Sequence, residues 1–148
     1  MYFVTKTYGH DVGLSACFRQ HRAESHCRFL HGYALAVEIT FCAEELDTRN
    51  WVVDFGGLDS LKLGLRRMFD HTTLVAEDDP KKAEILALGL SGLADVIEVS
   101  ATGCEAFARM IYDFAGTWLQ ENGHAPRCCV YSVKVSEHGA NSAMYQGR

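Results

Sequence analysis

Residues 2–18 are rich in β-formers, contain no proline and close on the apolar run Leu14–Phe18. Residues 33–43 alternate: Val37, Ile39 and Phe41 point one way, and Ala36, Glu38 and Thr40 the other. The two segments read as long paired strands. The stretch Asn50–Leu58 ends in a glycine pair that starts a helix. Leu58, Leu61, Leu65 and Met68 then recur at helical spacing, with an end near Asp70-His71. Glu77–Pro80 reads as a turn and Lys81–Leu90 as a short helix, in the least regular part of the chain, 75–101. Thr102 and Glu105 have the spacing of a capping box, ahead of an apolar stripe of Phe107, Met110, Ile111, Phe114 and Trp118. Gly123 stops that helix. Cys128–Val135 reads as a strand with Cys129, Tyr131, Val133 and Val135 on one face, and Ala143–Tyr145 as a last short one. The order is ββααββ. It predicts an α+β domain over 1–148: an antiparallel four-stranded sheet with two main helices packed on one face.

Composition narrows the function classes. At 148 residues and 48% hydrophobic, the chain supports one real core. Its net charge of -5 and scattered basic residues speak against a nucleic-acid face. The absence of a long apolar run and of a signal-like start suggests a cytoplasmic protein with no membrane partner. Six cysteines without a C-x-x-C pair read as free thiols, mostly buried.

Candidate chemistry concentrates in Ser25–Tyr33, where Cys27 precedes His31 by four residues. Asp70-His71, Thr102 with Glu105, and Glu137-His138 are further candidates. Each has a plainer use: an Asp-His pair complements a helix end, and a Thr/Glu pair caps one. Together, a thiol, a carboxylate and imidazoles in separate segments make a proton-transfer set.

With these residues in this order, the chain resembles the 6-pyruvoyl-tetrahydropterin synthase / 6-carboxy-5,6,7,8-tetrahydropterin synthase family, of the T-fold type. The matching pieces are Cys27-x-x-x-His31-Gly32-Tyr33, Asp54-Phe55-Gly56, Phe69-Asp70-His71, Thr102-x-x-Glu105, and Glu137 with Tyr145. The resemblance implies Cys27 as a general base, Asp70 and His71 as a proton-shuttling pair, and Glu137 as the pterin anchor. Thr102 and Glu105 are implied as substrate-binding neighbours. It also implies a divalent metal, zinc, which the family holds with three histidines. Here His31 matches one, Tyr33 stands at the last, and the first falls on Phe18 or, with the register shifted, on His21. His21, His31 and Tyr33 are the expected ligand set, with His26 a further candidate.

The Cys27-to-His31 spacing resembles the bacterial 6-carboxytetrahydropterin type. That implies a lyase converting 7,8-dihydroneopterin triphosphate to 6-carboxytetrahydropterin, acetaldehyde and triphosphate in queuosine and deazapurine biosynthesis. The 6-pyruvoyl-tetrahydropterin synthase reaction and a non-catalytic pterin-binding paralogue are the alternatives. The resemblance further implies a homohexamer, a dimer of trimers.

Overall fold

The computed structural model describes residues 1–147. Its strands are β1 (Tyr2–Tyr8), β2 (Leu14–Phe18), β3 (His31–Ala43), β4 (Thr72–Ala76), β5 (Asp95–Val99), β6 (Cys129–His138) and β7 (Asn141–Gln146). Its helices are α1 (Asp59–Phe69), α2 (Lys82–Leu90) and α3 (Cys104–Glu121), with 3-10 turns at His10–Val12, His26–Arg28 and Phe55–Gly57.

The strands form one seven-stranded sheet in the order β5-β4-β2-β3-β6-β7, with β1 also paired to β3. It is mixed, not the four-stranded antiparallel sheet expected. The antiparallel part contains the expected strands, but β4 runs parallel to β2, and β5 parallel to β4. The parallel extension is a β4-α2-β5 unit drawn from the irregular stretch.

The expected first strand is broken in two. The His10–Val12 turn, closed by Gly13 at φ 77°, offsets β1 from β2 along the same edge of β3. His31–Leu35 pair with β2, whereas Val37–Ala43 pair with β1 and Ala36–Cys42 with β6. The first five residues of β3 therefore have a strand partner on one side only, among the described residues.

Leu14, Ala16 and Phe18 share a face with Leu35, Val37, Ile39 and Phe41, and α1 and α3 pack on that face. Leu61, Leu65 and Phe69 of α1 and Phe107, Ile111 and Ala115 of α3 are fully buried there. Each such Leu, Ile or Phe side chain adds about 1.5–3 kcal/mol by leaving water. The expected faces of β6 are partly reversed. A bulge near Tyr131 shifts the register between Thr40 and Phe41, so Val130 joins Val133 and Val135 in the core. Cys129 and Tyr131 face out instead. The expected capping box is also absent: α3 begins after Gly103 without a side-chain cap, and Thr102 bonds elsewhere.

Candidate functional site

The candidate cleft is the corner where β3 begins and β6 ends, where the rings of Phe18, His31, Tyr33 and His138 gather. Phe18, at the end of β2, lies directly across from His31, and Ala16 across from Tyr33. Successive side chains of a strand alternate faces, so Phe18, His31 and Tyr33 point to the same side. Their rings meet: Phe18 lies 5.4 Å from His31 and 6.1 Å from Tyr33, and His31 lies 5.4 Å from Tyr33. His138, beside Glu137, brings its ring to 6.2 Å from Tyr33.

The Glu137 carboxylate reaches this cleft. Burial first, then Glu137, raises the Tyr33 phenol above its usual range, and Cys27 adds to the effect. Burial pushes the Cys104 thiol to about 12, again with Glu137 facing it and with Glu105 contributing. Cys104 is thus held protonated at neutral pH. Glu105 sits in the first turn of α3, where a carboxylate suits the helix dipole. Cys104 is not among the residues the sequence singles out; its place between Thr102 and Glu105 at the start of the marked helix is the available signal.

Cys27 rides on the His26–Arg28 turn and donates its N–H to the Ser25 hydroxyl at 3.4 Å. Gln20 N–H donates to the Cys27 carbonyl at 2.9 Å. Arg19 donates from Nη1 to the Arg28 carbonyl at 3.0 Å and grips Asp79 through Nε and Nη2, at 2.8 and 2.9 Å. Thr102 donates its hydroxyl to the Arg19 carbonyl at 2.7 Å, so it positions the loop. Neither Arg19 nor Asp79 was singled out by sequence. They are distant along the chain and share no local pattern.

Asp70 and His71 meet each other but not Cys27. His71 Nδ1 lies 2.6 Å from Asp70 Oδ1, and Arg66 Nη1 lies 3.4 Å from Asp70 Oδ2. His71 takes a left-handed φ of 59° as the chain leaves α1, and its N–H donates to the Ser15 carbonyl at 2.7 Å. When Nδ1–H donates to Asp70, Nε2 is left as a base. The imidazole opens onto a groove of about 500 Å³ lined by Ser15, Cys17, Gly32, Ala34 and Thr73. Ser15, Cys17, Gly32 and Ala34 alternate with the Phe18–His31–Tyr33 set, so this groove lies on the opposite face of the sheet.

The expected metal set does not assemble. His21 Nε2 lies 3.4 Å from Asp78 Oδ1 and is engaged there, not with His31 and Tyr33. His26 is exposed on the Cys27 turn. Among the described residues no group of three or more His, Cys, Asp or Glu side chains could hold a metal ion. Catalytic zinc calls for three protein donors and an open position. A phenyl ring, one imidazole and a protonated phenol do not fit that requirement.

Among the described residues no helix is long and apolar enough to cross a membrane. Comparison with known proteins agrees with this architecture. The model of the 6-pyruvoyl tetrahydropterin synthase family matches residues 10–148. A protein of Aquifex aeolicus named 6-carboxy-5,6,7,8-tetrahydropterin synthase is 26% identical, over 97% of this chain and 96% of its own length. The solved structure of an uncharacterized protein from Wolinella succinogenes superimposes with a TM-score of 0.83 at 19% identity, covering 99% of this chain and 98% of that one. The Plasmodium falciparum 6-pyruvoyl tetrahydropterin synthase does so with a TM-score of 0.66 at 13% identity, covering 98% of both chains. The chain belongs to the 6-pyruvoyl tetrahydropterin synthase family, whose members are tetrahydropterin synthases and thus lyases.

Proposed function

We propose that the chain is a lyase acting on 7,8-dihydroneopterin triphosphate, which with one water gives triphosphate, acetaldehyde and 6-carboxy-5,6,7,8-tetrahydropterin. The observation that carries this reading is the Glu137 carboxylate, set in an aromatic cleft with Tyr33 and near Cys27. A carboxylate accepts two parallel N–H bonds from a 2-amino-4-oxopyrimidine edge. The rings of Tyr33 and His138 offer faces to the heterocycle. The Cys27 thiolate then takes a proton from the substrate side chain, and His71, oriented by Asp70, handles the second. The name of the Aquifex relative, matched over nearly its full length, supports this product.

His71 lies across the sheet from the cleft, so this reading uses the Asp70-His71 pair of a second copy. That is consistent with the expected hexamer of two trimers. The product would enter deazapurine synthesis of the queuosine type, in the cytoplasm. Incubation with 7,8-dihydroneopterin triphosphate, followed by product mass, tests the reading. The 6-carboxy mass and a fall of at least about 100-fold in turnover for Cys27→Ala are expected. A product retaining all three side-chain carbons would make the 6-pyruvoyl-tetrahydropterin synthase reaction the correct one. Unchanged turnover in the variant would remove Cys27 from the mechanism. Pterin binding without product would favour a non-catalytic paralogue, a reading suggested by the rings at the expected metal positions.

A further inference from the structure

We propose that the cleft is a metal-free aromatic seat, in which the rings of His31 and Tyr33, backed by the buried Phe18, hold a planar ligand by stacking instead of chelating its hydroxyls through a cation. These residues occupy the positions at which the family resemblance implies a metal. They converge: their ring centroids lie 5.4 to 6.1 Å apart, within the range of favourable aromatic pairs.

The substitutions are built into the packing. Phe18 is fully buried and meets Phe107 edge-on at 5.0 Å, and Phe107 meets Phe69 at 5.4 Å. The core therefore extends without a break to the floor of the cleft. An imidazole at position 18 would have to turn from that aromatic row towards His31 and Tyr33. His31 Nδ1 lies 2.7 Å from the Phe29 carbonyl, which leaves one ring nitrogen for any ligand. His21 is held by Asp78.

A seat of this kind discriminates differently from a metal site. A cation rewards a substrate with neighbouring hydroxyls, because they chelate it. Rings reward a flat, conjugated or apolar group in the same place. The ligand class is therefore a planar 2-amino-4-oxopyrimidine heterocycle whose recognition does not depend on a side-chain diol. This last clause rests on the reading of Glu137 as the pterin anchor; the absence of a metal does not.

Cobalt(II) and zinc(II), titrated into metal-stripped protein, test the seat directly. The wild type and His31→Ala are expected to give the same cobalt spectrum, any uptake by thiols being common to both. Phe18→His combined with Tyr33→His is expected to gain one zinc per chain, lost again when His31 is replaced. One equivalent of His31-dependent metal in the wild type overturns the proposal. So does a folded double variant that gains none, because the three positions would then not converge. If an imidazole at the Phe18 position unfolds the chain, Tyr33→His alone is expected to gain weaker, His31-dependent cobalt binding. Its failure to do so counts equally against the seat.

Binding of 7,8-dihydroneopterin and of 6-methyl-7,8-dihydropterin, with and without a chelator, tests the ligand class. The chelator is expected to shift neither affinity by more than about twofold. A larger loss for the diol alone overturns the proposal. If neither compound binds and the wild type holds no His31-dependent metal, the pterin reading fails and the metal-free seat stands.

Discussion

Arg19 and Asp79 link three parts of the molecule through a single bidentate pair. Asp79 is buried, and besides gripping Arg19 it accepts the Lys81 N–H at 2.8 Å, fixing the approach to α2. Arg19 reaches the Cys27 turn through its guanidinium and the approach to α3 through its carbonyl. Removing one partner of a buried ion pair costs about 3–5 kcal/mol; partial exposure of Arg19 lowers the expectation for Asp79→Asn to about 2–3 kcal/mol in urea unfolding. The hydrogen bonds from Arg19 hold the Asp79 carboxyl below the usual carboxylate range, against the opposing effect of burial. A lowered folded-state pKa means that the unfolded chain binds the proton more readily. The contribution of Asp79 is therefore complete above the unfolded value of about 3.9 and is lost as the pH falls towards its own lower value. Stability measured between neutral pH and pH 3 is expected to fall less steeply in Asp79→Asn. Equal slopes would show that this carboxylate does not govern the acid limb. Chemically distinctive residues such as Cys27, His31 and the Asp70-His71 pair were legible in the sequence. The Arg19–Asp79 pair was not, because tertiary folding alone joins its members.

The amphipathic helices were legible for a related reason. The stripe along α3 repeats with the period of a helix whose one side is buried, and both α1 and α3 form over the expected residues. β4 gave no such signal: all five of its residues are buried, so no polar positions alternate with apolar ones. The extra residue near Tyr131 likewise inverts the alternation of β6, which a strict period of two cannot anticipate. The start of α3 depends on a conformation, not a cap. Gly103 has φ 111°, and a Cβ there would meet the Gln20 side-chain amide, whose flexible end can swing aside. Gly103→Ala is therefore expected to cost about 1–3 kcal/mol through the backbone conformation itself. Thermal unfolding checks the effect. An unchanged melting temperature would mean that the backbone relaxes freely at this point.

At the scale of the whole molecule, the sheet separates two sets of candidate groups. Cys27, Tyr33 and Glu137 belong to the cleft on the helix-covered side, and Asp70 with His71 to the groove behind it. If a second copy supplies the histidine, Cys27→Ala and His71→Ala each lack one half of every site, but not the same half. Refolded together in equal amounts, the two inactive proteins are expected to recover about a quarter of wild-type activity, the fraction of sites at which both intact halves meet by chance. A mixture as inactive as its components would show that each chain relies on its own pair. The resemblance singles out these residues from the sequence. Which of them one chain can bring together depends on which face each occupies, and that required the long-range register of β2, β3 and β4.

The one-sided pairing of β3 also sets how the cleft can breathe. Among the described residues, His31–Leu35 have β2 as their one strand partner, with His10 Nδ1 also meeting the Ala34 carbonyl, whereas Val37–Phe41 lie between β1 and β6. The amides of the first stretch that point away from β2 lack a ladder partner, so they should exchange with deuterium sooner than those of the second. Local fraying at His31 and Tyr33 can then admit a ligand edgewise while the buried end of the same strand stays latched. The rate of entry would depend on this short fray and not on global unfolding.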